Sequence, residues 1–323
     1  MTQADPDMIE REASVTLDLH GRRFDQVAAV LFPEFSRSRL QEWIGSGALT
    51  LDGRSCRAKD KVSVDQILRL SATVQAAVRW SGESGQLQIL HEDEHVIVVN
   101  KAAGVVVHPG AGHAQGTLVN ALIGYAPELE RLPRGGIVHR LDKDTTGVMV
   151  VARSDLAHQS LIKQLAARTV QRVYTAVCQG ALSGGGTIDA PIGRHPTVRT
   201  RMAVNSGGKP AVTHYRIAER FAAHTCLSVS LETGRTHQIR VHMASRNMPL
   251  LGDPVYGGRP RPPRGASPEL QAALRGFPRQ ALHARTLAFR HPETDETCQF
   301  ETTLPDDMSE LLDVLRAHDP SPA

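Results

Sequence analysis

Short apolar, strand-like runs succeed one another through much of this chain with little helix between them, and that order restricts its fold more than any other feature. HVIVVNK starts at His95, GVMVVAR at Gly147, VYTAVCQG at Val173, THYRIAERF at Thr213 and HTCLSVSLET at His224. ARTLAFRHP at Ala284 and CQFETTL at Cys298 follow. Leu227, Val229 and Leu231 alternate with polar residues, as a strand with one buried face requires. A doubly wound parallel sheet needs a helix between successive strands. The runs at 173, 213 and 224 have none between them. The order therefore predicts an α+β fold, a mainly antiparallel mixed sheet flanked by helices. Those helices are TLVNALIGYA, DLAHQSLIKQLAAR capped by Ser154, THQIRVHMASR and the acidic DDMSELLDVLRAH.

At 323 residues the chain suggests two domains, at roughly 100–200 residues each. Residues 1–13 read as a disordered leader, 14–75 as a small module, 76–88 as a linker without periodicity, and 89–323 as the larger domain. In the small module VTLDL alternates like a strand. RFDQVAAVLF has helical spacing and ends at Pro33, and Ser36 stands as N-cap of RSRLQEWI. ALTLDGRSC reads as a hairpin turning at Asp52 and Gly53, and KVSVDQILRL as a further strand.

Charge is unevenly spread. The net charge is +3, yet residues 193–264 hold 12 Lys and Arg against 3 Asp and Glu, and residues 291–323 hold 1 against 9. A basic middle suits a polyanionic partner if those residues share a face. No apolar run reaches the ~18 residues that span a bilayer, and the polar, acidic start lacks the pattern of a secretory signal. A cytoplasmic protein without membrane contact is expected. Cys56, Cys178, Cys226 and Cys298 stand far apart with no C-x-x-C, which argues for reduced thiols rather than a zinc ribbon or a disulfide framework.

Two glycine-rich stretches invite a cofactor reading and fail it. Gly110, Gly112 and Gly116 follow an apolar run, but the spacing is G-x-G-x-x-x-G and Pro109 interrupts the turn. The glycines at 184–186 lack a following Lys-Ser/Thr. His237 and His242 are five apart with no Glu beside the first, so no metalloprotease helix is read and no metal is expected. GIVHRLDKDTTG, residues 136–147, is different. A strand pattern breaks into charged residues around Asp142 and then resumes. Charges seldom sit between buried strands without partners. TGRTHQIR, residues 233–240, places Arg235, His237 and Arg240 where a strand gives way to a helix. Taken alone, the first reads equally as a polar turn and the second as a helix-start anion site.

GIVHRLDKDTTG, the strand bearing Tyr174, and LETGRTHQIRVH together resemble the three signature blocks of the RluA family of pseudouridine synthases. The N-terminal module resembles an S4 RNA-binding domain, with SRSRLQEWI as its RNA-facing helix. HPGAG, RHPT, KPAVTHYRI and GDPVYGGRPRPP extend the likeness from about residue 15 to 315. Within the family the arrangement is most similar to members that modify uridines in a stem–loop, helix 69, of 23S ribosomal RNA. The resemblance implies a pseudouridine synthase fold and an isomerase that detaches uracil from its ribose, rotates it and rejoins it through carbon, with no nucleotide or other cofactor. It implies a large ribosomal subunit precursor as partner, and a monomer is expected.

Site roles follow from the same resemblance. Asp142 is the implied nucleophile, acting at C1′, at C6 or through a glycal. Aspartate suits this because it is ionised at neutral pH without a separate base. Arg240 is its implied cationic partner. Tyr174 stacks on uracil, where its hydroxyl can serve the ribose proton; by pattern alone it is a core residue. Arg140 takes the space of the flipped base, a flip that costs roughly a few kcal/mol. His139 receives no chemical role. Arg235, His237, Arg259 and Arg261 are RNA-contact candidates, as are Arg22, Arg23, Arg37 and Arg39 of the small module. Two departures stand out: Ser63-Val64-Asp65 occupies a turn that usually holds Gly in S4 domains, and Thr146 stands where the wider family more often has Ser. Competing readings are a relative acting on tRNA, a noncatalytic RNA-binding factor, and a sugar-bond hydrolase using Asp142 and Asp144. The last is disfavoured because residues two apart cannot easily flank a substrate.

Overall fold

The computed structural model describes residues 8–33, 35, 37–73, 81–109, 115–198 and 200–321. The chain divides into two compact units, Met1–Arg79 and Trp80–Ala323. In the first, strand β1 (Met8–Ser14) pairs antiparallel with β3 (Ile67–Thr73), which also pairs with β2 (Leu49–Leu51). Helices α1 (Phe24–Leu31) and α2 (Arg37–Ser46) supply Phe24, Val27, Leu40, Trp43 and Ile44 to a core closed by Leu49, Leu68 and Leu70.

Two expectations for this unit change, and one departure is explained. Residues 8–13 belong to a strand rather than a disordered leader; MIEREAS is polar because only Ile9 and Ala13 lean on the core. VTLDL is not a strand: Leu17–Leu19 form a 3-10 turn, with Leu19 buried. The turn without glycine puts its positive φ, 66°, on Asp65, so Val64 is spared the strain a branched side chain would meet there. Residues 1–7, most of the expected leader, and the Ser36 cap lie outside the described residues.

The second unit is built on a nine-stranded sheet. Its elements are β4 (Ile89–Glu92), β5 (Val96–Lys101), α3 (Leu118–Tyr125), β6 (Thr146–Ala152), α4 (Asp155–Ala167), β7 (Gln171–Gln179), β8 (Gly186–Asp189), β9 (Ile192–Arg194), β10 (Met202–Val204), β11 (Val212–Arg220), β12 (His224–Leu231), α5 (Gln238–Ser245), α6 (Pro268–Gly276), β13 (Leu282–Arg290), β14 (Thr297–Glu301) and α7 (Asp306–His318). The strand order is β4-β5-β6-β13-β7-β12-β11-β8, with β14 also paired to β13, while β9 and β10 form a separate ribbon. Every pairing in the sheet is antiparallel except β6 with β13, where His283 faces Thr146 and Ala284 faces Gly147. Gly147 is required there: φ is +116° and a Cβ would come within 2.1 Å of the Ala284 carbonyl oxygen.

Both sheet faces are covered, which explains the unbroken apolar runs of β5 and β6. Ile97, Val99, Met149 and Val151 pack with α3 and with Ile239 and Met243 of α5. Val96, Val98, Val148 and Val150 pack on the other side with Ala157 and Leu161 of α4. Helices α6 and α7 close a third cluster over Val177, Phe221 and Cys226. The expected linker is corrected over its described part. Residues 81–88 have no regular structure but lie against α3, where Asn120 donates to the Ser81 carbonyl and Glu83 N–H donates to that of Asn120. GIVHRLD is no strand either. Arg134–Gly136 turn through positive φ, and Ile137 alone bridges to Val151. All four cysteines are free.

Candidate active site

Asp142 sits in the loop that leads into β6, and buried donors hold that loop by its carbonyls. Lys101, at the end of β5, donates to the Lys143 carbonyl at 2.8 Å and to those of Ala102 and Val105. Burial pulls the Lys101 ammonium down to about 8, against the attraction of Asp144 and Asp142. Arg279 donates to the Asp144 carbonyl and Gln280 to the Thr145 hydroxyl. The Thr146 hydroxyl meets buried His283 at 2.8 Å, whose ring burial pushes down to about 4.

One nitrogen of Arg240 contacts Asp142, 2.9 Å from Nη1 to Oδ2. Its Nε and Nη2 form a bidentate pair with Asp253 at 2.7 and 2.9 Å. The Arg240 and Asp253 side chains are 5% and 0% exposed and that of Asp142 is 15%, so the first two are fixed and the third looks into open space. Asp253 also accepts the N–H groups of Val255 and Tyr256. Burial works to raise its carboxyl, yet Arg240 and these N–H groups hold it below the usual range. Burial likewise opposes charge on Arg240, and the two carboxylates more than offset it. The Arg240 guanidinium lies 5.1 Å from the Tyr256 ring centroid, and the Tyr256 hydroxyl is 2.8 Å from His237 Nδ1.

Asp142, Arg240 and His237 border a cleft of about 390 Å³, a size usual for small-molecule sites. Leu141, Tyr174, Leu231, Ile239 and Leu282 give it apolar walls, and Asp142, Arg140, Arg235 and His237 line it too. Burial pushes the Tyr174 phenol up and the His237 ring down. Arg140 is exposed, and among the described residues no hydrogen bond or ion pair holds it. Arg235 is tethered by Nε to the Pro210 carbonyl. His139 accepts the Val150 N–H at Nε2, so its proton resides on Nδ1; burial, then Arg172, pushes it down to about 3.

Three comparisons decide the family. A family model described as RNA pseudouridylate synthase matches residues 95–245. Ribosomal large subunit pseudouridine synthase D of Pseudomonas aeruginosa is 55% identical over 310 residues, 96% of this chain and 97% of that protein. The protein of the same name from Xanthomonas campestris is 53% identical over 306 residues, 95% and 92% of the two chains. The chain belongs to the RNA pseudouridylate synthase family. Among solved structures, Human RNA Pseudouridylate Synthase Domain Containing 4 aligns with a TM-score of 0.56 at 26% identity, covering 73% of this chain and 95% of that one. The α+β reading with a mainly antiparallel sheet agrees with this pseudouridylate synthase likeness.

Asp142, Tyr174 and Arg240, expected from three separated motifs, lie in one cleft, with Arg140, Arg235 and His237 beside them. Arg259 and Arg261 are exposed and do not line it. In the N-terminal unit, Arg23 and Arg37 converge on buried Asp25, Arg39 lies over Trp43, and Arg22 is exposed. Sequence reasoning missed Asp253, Lys101 and Arg172. Asp253 stands in GDPVYGG, where a carboxylate in a turn signals no role; a lysine closing an apolar strand signals Lys101; and Arg172, two residues before Tyr174, falls on the same strand face.

Proposed function

We propose that this protein converts uridines of 23S ribosomal RNA, in the helix 69 stem–loop, to pseudouridine. The glycosidic C1′–N1 bond breaks, uracil turns within the cleft, and a C1′–C5 bond forms. The C5 proton is lost and N1 gains one, so the composition of the RNA is unchanged. Asp142 is the nucleophile. Arg240 aligns and charge-balances it, Tyr174 stacks on the base, and Arg140 fills the space that the flipped base vacates. Half-buried Arg235 and exposed Arg259 and Arg261 contact phosphates, and His237 stands with Arg235 in the cleft. The N-terminal unit is an S4-type RNA-binding domain using Arg22, Arg23, Arg37 and Arg39. The relatives' names, which carry the words ribosomal large subunit, support the substrate.

The observation that carries this reading is the single guanidinium of Arg240 joining a buried carboxylate to one that faces the cleft. A pure binding surface has no need of a carboxylate so placed. Asp144 does not line the cleft, which leaves the hydrolase reading without a carboxylate pair across a substrate.

Wild-type and Asp142→Asn proteins are compared on a helix 69 transcript and on intact large-subunit RNA, mapping pseudouridine by carbodiimide adducts and reverse-transcription stops. Stops at loop uridines with the wild type alone are expected. Stops with both proteins would remove Asp142 from the nucleophile role. Binding without stops in either would favour a noncatalytic factor.

A further inference from the structure

Three arginines are buried among the described residues, and they are not treated alike. Arg240 holds Asp142 and Asp253, and Arg279 holds Asp307 by two nitrogens. Arg172 has no carboxylate partner among the described residues. It is 8% exposed, its Nε has no hydrogen-bond partner, and its one bond runs from Nη2 to the Glu232 carbonyl at 3.5 Å. A guanidinium does not shed its proton to escape such a place. A buried charge left without partners is costly, and an unsatisfied group of this kind calls for an explanation.

Position supplies one. Arg172 and Tyr174 occupy the same face of β7, and both line the cleft together with Asp142. Residue 234, across from the guanidinium, is glycine, and a Cβ there would lie 2.8 Å from Arg172 Nη1. The missing side chain leaves room at the head of the arginine. Exposed Arg140 and half-buried Arg235 can meet RNA at the mouth; Arg172 can be reached only by what enters.

The geometry points to Arg172 as a substrate-binding residue that donates to an oxygen of the target nucleotide, either phosphoryl or uracil carbonyl, beside the ring of Tyr174. This rests on the proposed reading of the cleft as the seat of a uridine. The nucleotide would complete the donor set that the protein leaves open.

The test is a substitution cycle under single-turnover conditions, with wild type, Arg172→Gln and Arg172→Lys. The RNAs are the unmodified helix 69 stem–loop and versions with one change at the target uridine. A methylphosphonate on either side removes an anionic oxygen, and a thiocarbonyl at C2 or C4 weakens a base acceptor. Arg172→Gln is expected to lower kcat/KM about tenfold to a hundredfold, the worth of one charged hydrogen bond. One changed RNA should cost the wild type a similar factor and cost Arg172→Gln nothing further. Which RNA behaves so identifies the oxygen as phosphoryl or carbonyl.

Arg172→Lys keeps the charge but not the planar fork, and an intermediate loss is expected. It carries the same cycle if thermal unfolding shows that the Gln variant does not fold. Turnover by Arg172→Gln equal to wild type overturns the inference. So does a loss of the same size on every RNA, which is what a purely structural role predicts. A wild-type protein that leaves all the uridines of the unmodified RNA unchanged overturns the proposed function, and this inference with it.

Discussion

Asp253 takes two of the nitrogens of Arg240, Nε and Nη2, and thereby leaves Nη1 as the one that reaches Asp142. The bidentate geometry fixes the plane of the guanidinium, and the Val255 and Tyr256 N–H groups fix Asp253 in turn. Asp253 therefore acts on Asp142 through Arg240 and is a positioning residue.

Asp253→Asn should lower the rate of the chemical step at least about tenfold while leaving RNA affinity close to wild type. It should also destabilise the protein by roughly 3 kcal/mol, because one partner of a buried pair is lost. Single-turnover rates, filter binding and denaturant melts separate the three. Affinity falling in step with the rate would mean that Asp253 serves the shape of the RNA surface instead.

Arg240→Lys keeps a positive charge but cannot hold two carboxylates in fixed directions. Turnover should fall by about two orders of magnitude, more than the loss of any exposed arginine at the cleft mouth. Near-normal turnover in this variant would reduce the role of Arg240 to neutralising charge.

Tyr174→Phe keeps the ring and removes the hydroxyl, whose ionisation burial already disfavours. If the hydroxyl serves the ribose proton, pseudouridine formation falls about a hundredfold or more with RNA affinity unchanged. Full activity would leave stacking as its whole contribution. Tyr174→Leu is the companion variant that removes the ring as well.

Asp25 gives the N-terminal unit a pH dependence with a defined sign. Burial tends to raise its carboxyl, but hydrogen bonds from Arg37, Gln41 and Arg23 prevail and bring it to about 2 from the usual 3.8. The folded state thus binds this proton more weakly than the unfolded chain. Stability from Asp25 is complete above about pH 4 and is lost as pH falls toward 2, a contribution on the order of 2 kcal/mol. Asp25→Asn should lower stability at pH 7 and flatten that acid limb. An acid limb unchanged in the variant would assign it to other carboxylates.

Much of the larger unit was readable because burial on both sheet faces turns a strand into an unbroken apolar word. HVIVVNK and GVMVVAR are such words, and they became β5 and β6. Ser154, read as a cap, does accept the Ala157 N–H. The small unit was harder. MIEREAS pairs with one neighbour and is mostly exposed, so nothing in its hydropathy announces β1. VTLDL alternates as a strand would, but a 3-10 turn can bury Leu19 just as well. Helix α6 is masked in the sequence because it lies beyond a proline-rich stretch that reads as loop, although Ser267 caps it at Leu270.

Within the site, Asp142 and Arg240 were visible as charges set against an apolar background. Their contact was not, because 98 residues separate them and no local pattern encodes the pairing. Asp253 was obscured for the opposite reason. A carboxylate in a Gly-Asp-Pro turn is ordinary, and only the bonds it receives distinguish it. Arg172 was hidden by habit: a lone arginine in a strand reads as an edge residue until its burial is known.

The parallel seam between β6 and β13 sets a condition on how this molecule can be made. The Asp142 loop is braced from Arg279 and Gln280, just before β13, and Leu282 walls the cleft. Those residues leave the ribosome long after Asp142 does. Local hairpins such as β11 with β12 can close early, whereas contacts of high sequence separation come late. A nascent chain arrested before residue 282 lacks both the seam and a wall of the cleft, so the cleft is incomplete until β13 has been made.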